Sequence, residues 1–185
     1  MFPRSGGNRF RGGADPDNEP DEKSLQKLAE ATAVRLLARR EHSIEELRRK
    51  LTARSYPDAV IDFVVTRLAA KRLVSDDRFT SSFVHHHAQR GQGPVRIRAE
   101  LRQQGIADEA IESALESAEI DWIAQAQTVR RRKFGGSLPG SLPERAKQAR
   151  FLQYRGFSAD QIRAALKADV SVMDEDDGLD PDADL

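Results

Sequence analysis

Three consecutive histidines, His85, His86 and His87, stand out first, because neutral imidazole is a common zinc ligand. Ligands on a helix converge at i, i+4 spacing, whereas consecutive residues point about 100° apart, so the triplet does not close on one ion. Asp76 and Asp77 have the residue type of a general acid–base pair, but they follow Ser75 at a helix start, where the macrodipole stabilises carboxylates. No glycine-rich phosphate loop or nucleophile motif accompanies them, and with zero cysteines there is neither a thiolate nor a Cys-ligated metal. No enzyme activity, metal or cofactor is expected. What remains is guanidinium chemistry. Between Leu25 and Val170, 20 of 26 basic residues are arginine, whose planar fork matches phosphate and carboxylate bidentately.

The arginines are concentrated in two places. Gly91 to Gly105 reads GQGPVRIRAELRQQG, and with Ile97 and Leu101 facing a core, Arg98 and Arg102 lie one turn apart on one flank and Arg96 on the other. Arg90 precedes this stretch, and Arg48 is the counterpart of Arg98 fifty residues earlier. The second concentration is Arg130, Arg131, Arg132 and Lys133, in the last turn of a predicted helix, where cations also complement the macrodipole. The alternative for any single one of these charges is a solvated helix face.

The elements that carry these residues are set by an internal repeat. Leu51 to Val65 (LTARSYPDAVIDFVV), Leu101 to Leu115 (LRQQGIADEAIESAL) and Leu152 to Leu166 (LQYRGFSADQIRAAL) align without gaps at spacings of 50 and 51 residues. Their late apolar positions, for example Val60, Ile61, Val64 and Val65, fall on one helical face. Leu47 and Leu51 match Ile97 and Leu101 in a preceding helix, which weakens in the third copy, where Gln148 takes the first of these places. Ser43 with Glu46, Ser141 with Glu144 and Ser158 with Gln161 have capping-box spacing, and Pro57 and Pro94 suit first-turn positions. Gly105 and Gly156 fall where a helix ends in a left-handed residue; Ser55 holds that place in the first copy, which leaves room for a different turn. A further helix precedes each pair, over Ala31–Arg40, Asp76–Arg90 and about Ile120–Phe134. In this register His85 matches surface Arg35 and His87 matches core-facing Leu37.

The expected fold is therefore all-α, an elongated, curved array of three tandem three-helix repeats with helix-turn-helix character, at 25–73, 74–118 and 119–170. Residues 1–24 hold Gly pairs, three Pro and only two Phe, and are expected to be a disordered arm. Residues 171–185 (SVMDEDDGLDPDADL) hold seven acidic residues and no basic one, an acidic disordered tail. The 185-residue chain carries 30 basic and 30 acidic residues, yet its body holds 26 against 18 and is +8. Neutral overall charge thus conceals a basic body suited to a polyanion. No apolar run approaches the roughly 18 residues of a membrane span, and Met1–Ala14 lacks a secretory centre, so no membrane and a cytoplasmic location are expected.

Four pieces in order, Ala33–Leu51 (AVRLLARREHSIEELRRKL), Asp76-Asp77-Arg78-Phe79, Gly93–Leu101 (GPVRIRAEL) with Gly105-Ile106, and Arg150–Ser158 (RFLQYRGFS), resemble the bacterial RecX regulatory proteins. The resemblance spans about Ala31 to Leu166. Gln104 departs from it, standing where a basic residue before the glycine is usual. The resemblance implies a modulator of the RecA recombinase that lies in the groove of the RecA filament on single-stranded DNA. It also implies inhibition of filament growth, ATP hydrolysis, strand exchange and stimulated LexA cleavage, the SOS response. A monomer is expected, with duplex DNA as a further partner, and Arg48, Arg90, Arg96, Arg98, Arg102 and Arg130–Lys133 as the filament- and DNA-facing surface. The alternatives are a helix-turn-helix transcription regulator and a non-specific nucleic-acid-binding protein. Against base reading, the third helices carry Asp62, Glu109, Glu112, Glu116 and Asp160, which repel a groove. The tail has two readings: competitor of DNA for the basic body, or solubilising extension.

Overall fold

The computed structural model describes residues 21–167. Most of the expected arm and all of the acidic tail lie outside the described residues. Within them the chain forms helices α1 (Glu22–Leu37), α2 (Ile44–Thr52), α3 (Asp58–Ala70), α4 (Asp76–Gln89), α5 (Pro94–Gln103), α6 (Asp108–Ser117), α7 (Trp122–Phe134), α8 (Leu142–Arg155) and α9 (Ala159–Ala165). The first helix starts well before Ala31, so residues 22–24 belong to it rather than to a disordered arm. Asp21 is the reason: its carboxylate accepts the Ser24 N–H at 3.1 Å and Glu22 adds an acid to the first turn.

Extensive helix contacts all fall inside three groups, α1–α3, α4–α6 and α7–α9. Each group has its own core. Leu47, Leu51, Ile61 and Leu68 are fully buried in the first, Ile97, Leu101 and Ile111 in the second, and Leu152 and Ala126 in the third. Each large apolar side chain removed from water stabilises its repeat by about 1.5–3 kcal/mol. The third core is the poorest, as Gln148 implies: this side chain is buried at the position of Leu47 and Ile97, and its Oε1 has no partner. Trp122 touches both the second and third cores and ties them together.

Neighbouring repeats join by one junction used twice. The start of α2 meets the α5–α6 turn, where the Ser43 hydroxyl donates to Gln104 O at 2.9 Å and Arg49 donates to Gln103 O at 3.1 Å. The start of α5 meets the α8–α9 turn, where Gly93 N–H and Val95 N–H donate to Arg155 O and Gly156 O at 2.8 and 3.0 Å. Carboxyl ends of one second helix thus face amino ends of the previous one, which aligns α8, α5 and α2 head to tail and pairs groups otherwise left without partners.

This packing explains the glycines. Gly105 and Gly156 have φ of 79° and 90°, and a Cβ there would meet Glu45 Cβ at 2.9 Å and Arg96 Cβ at 2.2 Å. Ser55 adopts the same left-handed turn at φ 62°, so the first copy's turn does not differ. It is exposed and no repeat packs on it, and a side chain therefore fits at the end of the array.

The capping boxes differ from their sequence spacing. Only Ser158 with Gln161 closes in both directions. Ser43 and Ser141 accept the N3 backbone N–H, but Glu46 is held by Arg40, and Glu144 accepts from Gly140 instead of Ser141. Pro57 stands at the N-cap of α3, one place earlier than a first-turn residue, while Pro94 opens α5. Asp76, the first residue of α4, uses its carboxylate on another helix, accepting Ile44 N–H of α2 at 2.8 Å, while Ser75 caps α4.

Candidate functional site

The nine sequence-selected cations divide into three kinds. Arg48, Arg96, Arg98 and Arg102 are tied to carboxylates within the chain. Arg98 forms a two-pronged pair with Glu112 at 2.5 and 2.7 Å, and Arg48 pairs with Asp62, its repeat-equivalent, through the same helix-two to helix-three contact. Arg102 holds Asp108 at 2.6 Å across the α5–α6 turn, and Arg96 holds Glu100 at 2.7 Å while its guanidinium lies 5.7 Å from the Tyr154 ring centre. The guanidinium of Arg98 draws the Glu112 carboxyl below its ordinary range, and Arg102 does the same to Asp108. These pairs also neutralise part of the acid on the third helices, so α3 and α6 are less repulsive to an anion than their sequences imply.

Arg130 is a structural residue. It is only 4% exposed and donates to Ser137 O at 2.9 Å and Gly136 O at 3.3 Å, holding the loop after α7; its Nε has no partner, and burial lowers its pKa. Helical rotation separates it from its neighbours: Arg131, Arg132 and Lys133 are exposed, and among the described residues they form no ion pair.

Arg90, Arg132 and Lys133 meet in a cleft of about 190 Å³ whose walls include Val129 and Phe151. Arg155 completes it, a residue absent from the sequence-based selection; its guanidinium lies 5.3 Å from the Phe151 ring centre and donates to Arg90 O at 3.3 Å. The ends of α4, α7 and α8 converge here. Three helix C-termini contribute about −0.5 charge each, roughly −1.5 in total, against four cations, so the cleft keeps a surplus of about +2.5. A signal for Arg155 exists in the sequence: between Trp122 and Ala159 there are eight basic residues and a single acid, Glu144.

The histidines splay apart. His85 is exposed and lies 2.9 Å from Ser81 O, while His87 is half-buried, stacked on Phe83 at 3.7 Å between ring centres and 3.2 Å from Glu100. The repeat alignment placed this pair correctly. Among the described residues no helix is long and apolar enough to cross a membrane.

Fold and surface together define an all-helical, three-repeat array whose basic charge is partly paired and partly presented. Comparison with known proteins gives the family. Models of the first, second and third three-helix domains of RecX match residues 29–68, 75–115 and 119–166 in order. Regulatory protein RecX of Halorhodospira halophila (strain DSM 244 / SL1) is 50% identical over 149 residues, covering 80% of this chain and 90% of that protein. Regulatory protein RecX of Ectopseudomonas mendocina (strain ymp) is 48% identical over 135 residues, covering 73% and 90%. The crystal structure of RecX from Lactobacillus salivarius superposes with a TM-score of 0.66 at 20% identity, over 77% of this chain and 95% of that one. The chain belongs to the RecX family of regulatory proteins.

Proposed function

We propose that this protein binds the RecA filament on single-stranded DNA, lying in its groove across neighbouring subunits, and inhibits ATP hydrolysis, strand exchange and stimulated LexA cleavage. The reading comes from family membership, and the observation that carries it in this chain is the head-to-tail array of three repeats with unpaired cations where the second and third modules meet. Such an array spans more than one subunit of a helical partner, and its exposed Arg90, Arg131, Arg132 and Lys133 meet phosphates or acidic protein patches without first breaking an internal pair. Arg48, Arg96, Arg98 and Arg102 lie on the same proposed surface and engage a partner by exchanging their carboxylates.

The test is RecA ATPase on single-stranded DNA with substoichiometric amounts of the protein. Inhibition at ratios far below one molecule per RecA supports a filament regulator, because a plain DNA competitor has to cover the lattice. Full ATPase under those conditions, with steeply salt-dependent DNA binding, indicates a general nucleic-acid scaffold instead; a preferred duplex site that resists competitor DNA indicates a transcription regulator.

A further inference from the structure

We infer that the acidic C-terminal segment, residues 171–185, docks in the basic cleft formed by Arg90, Arg132, Lys133 and Arg155, and so covers a binding surface of its own chain. The contact is intramolecular and holds whether or not the filament reading does; only its covering of a binding surface rests on that reading.

Three observations support it. The first is charge complementarity, with basic residues concentrated in one stretch and acidic residues in another. The stretch Trp122–Ala159 carries eight basic residues and one acid, whereas residues 171–185 carry seven acids and no base. The four cations of the cleft form no ion pair among the described residues, unlike Arg48, Arg96, Arg98 and Arg102. Three converging helix ends offset less than half of their charge.

The second is connectivity. The chain leaves the described structure just after α9, and the most extensive helix contact of α9 is with α7, whose last turn holds Arg132 and Lys133. Eighteen residues follow Lys167, enough to span roughly 60 Å when extended. Tethering at that length gives effective concentrations on the order of millimolar, so weak carboxylate–guanidinium contacts suffice for occupancy.

The third is the chemistry of the walls. Arginine forks donate two N–H groups at once to a carboxylate, and Val129 and Phe151 supply an apolar floor. Leu179 and Leu185 are interleaved with the acids of the segment and match such a floor.

The chain has zero cysteines, so one introduced thiol labels a single position without disturbing others. A nitroxide on Asp180→Cys in the full-length, nitrogen-15-labelled protein reports which backbone amides it approaches. The expected result is selective loss of amide intensity around Arg90–Gln92, Arg131–Phe134 and Arg155–Gly156. That loss disappears in the R132E/K133E variant and at about 0.5 M salt, where the Debye length is roughly 4 Å. Uniform or absent broadening overturns the inference, as does broadening centred on α5 and α6. A mixture of spin-labelled unenriched chains with unlabelled enriched chains separates the remaining case: the same pattern at full strength there means that a second copy is the occupant, which also overturns it.

Discussion

The α5–α6 face and the α4–α7–α8 cleft are both rich in arginine, yet they hold their charge in opposite ways. On the first, every selected guanidinium already faces a carboxylate: Arg96 with Glu100, Arg98 with Glu112 and Arg102 with Asp108. In the second, Arg90, Arg132, Lys133 and Arg155 gather with no carboxylate partner among the described residues. Two pairs of the first face, Arg98–Glu112 and Arg102–Asp108, join α5 to α6 and the third lies within α5, while the unpaired group in the second projects a field into solvent. Counting arginines by stretch does not separate paired from unpaired guanidinium groups; knowing where each carboxylate sits does.

This contrast has consequences for mutation and for pH. The largest effect is expected from disturbing the junction that holds the two regions in fixed places. Gly156→Ala forces a Cβ against Arg96 in a backbone with φ 90° and is expected to cost roughly 2–4 kcal/mol, read as a lower urea midpoint. The same change at Ser55, which already carries a Cβ at the free end, is expected to be close to neutral; equal losses at both positions break the account of the junction.

Next comes charge reversal in the cleft. R132E/K133E is expected to weaken binding to a single-stranded oligonucleotide more than tenfold at low salt. It is also expected to reduce the slope of log affinity against log salt by about 1.4, two contacts at about 0.7 each on a single strand, with helicity unchanged. Reversal of Arg98 and Arg102 to Glu sharpens the contrast, because these residues have partners to lose. It is expected to abolish inhibition of RecA ATPase, accompanied by a loss of stability that the cleft variant does not show. Undiminished inhibition removes Arg98 and Arg102 from the surface.

A smaller effect is expected from the Arg98–Glu112 pair alone. In a double-mutant cycle with Arg98→Gln and Glu112→Gln the coupling is expected to be about 0.5–1 kcal/mol, the range of a partly exposed ion pair. Cleft cations paired with any described carboxylate are expected to show none.

The smallest effect is a pH dependence with a fixed sign. Glu112 and Asp108 have carboxyls held below their ordinary values by Arg98 and Arg102, so their contribution is present above the ordinary carboxylate range. It is lost as the pH falls below that range, through the lowered values of these groups. The stability of the second repeat is expected to decline there, monitored by hydrogen exchange of α5 and α6. Stability rising on acidification contradicts the pairing.

Much of this molecule was legible in its residues. The period near fifty, the apolar faces around Leu51, Leu101 and Leu152, and the helix ends at Gly105 and Gly156 come from local rules that act within a few turns. The placement of His85 and His87 followed from the same register. Residues 22–24 were misjudged as arm because their helix depends on a capping Asp21 in a stretch of low apolar content. The capping boxes at Ser43 and Ser141 were misjudged because Glu46 and Glu144 bond elsewhere, to Arg40 and to Gly140, and spacing does not reveal such competition. Arg155 was missed because its cleft is made by three helix ends from two repeats, although the run of eight bases against one acid was open to view.

The sequence by itself determined nine helices within the described residues in three repeats and the segregation of charge, since helical periodicity and composition are properties of the chain read locally, and the resemblance of four of its segments pointed to the family. Only the tertiary structure decided which arginines are paired, which one is buried and which four meet at a common cleft. Ion pairs such as Lys71 with Glu30, and the meeting of Arg90 with Arg155 across 65 residues, depend on distances between side chains remote in sequence, and those distances exist only once the helices and repeats have packed.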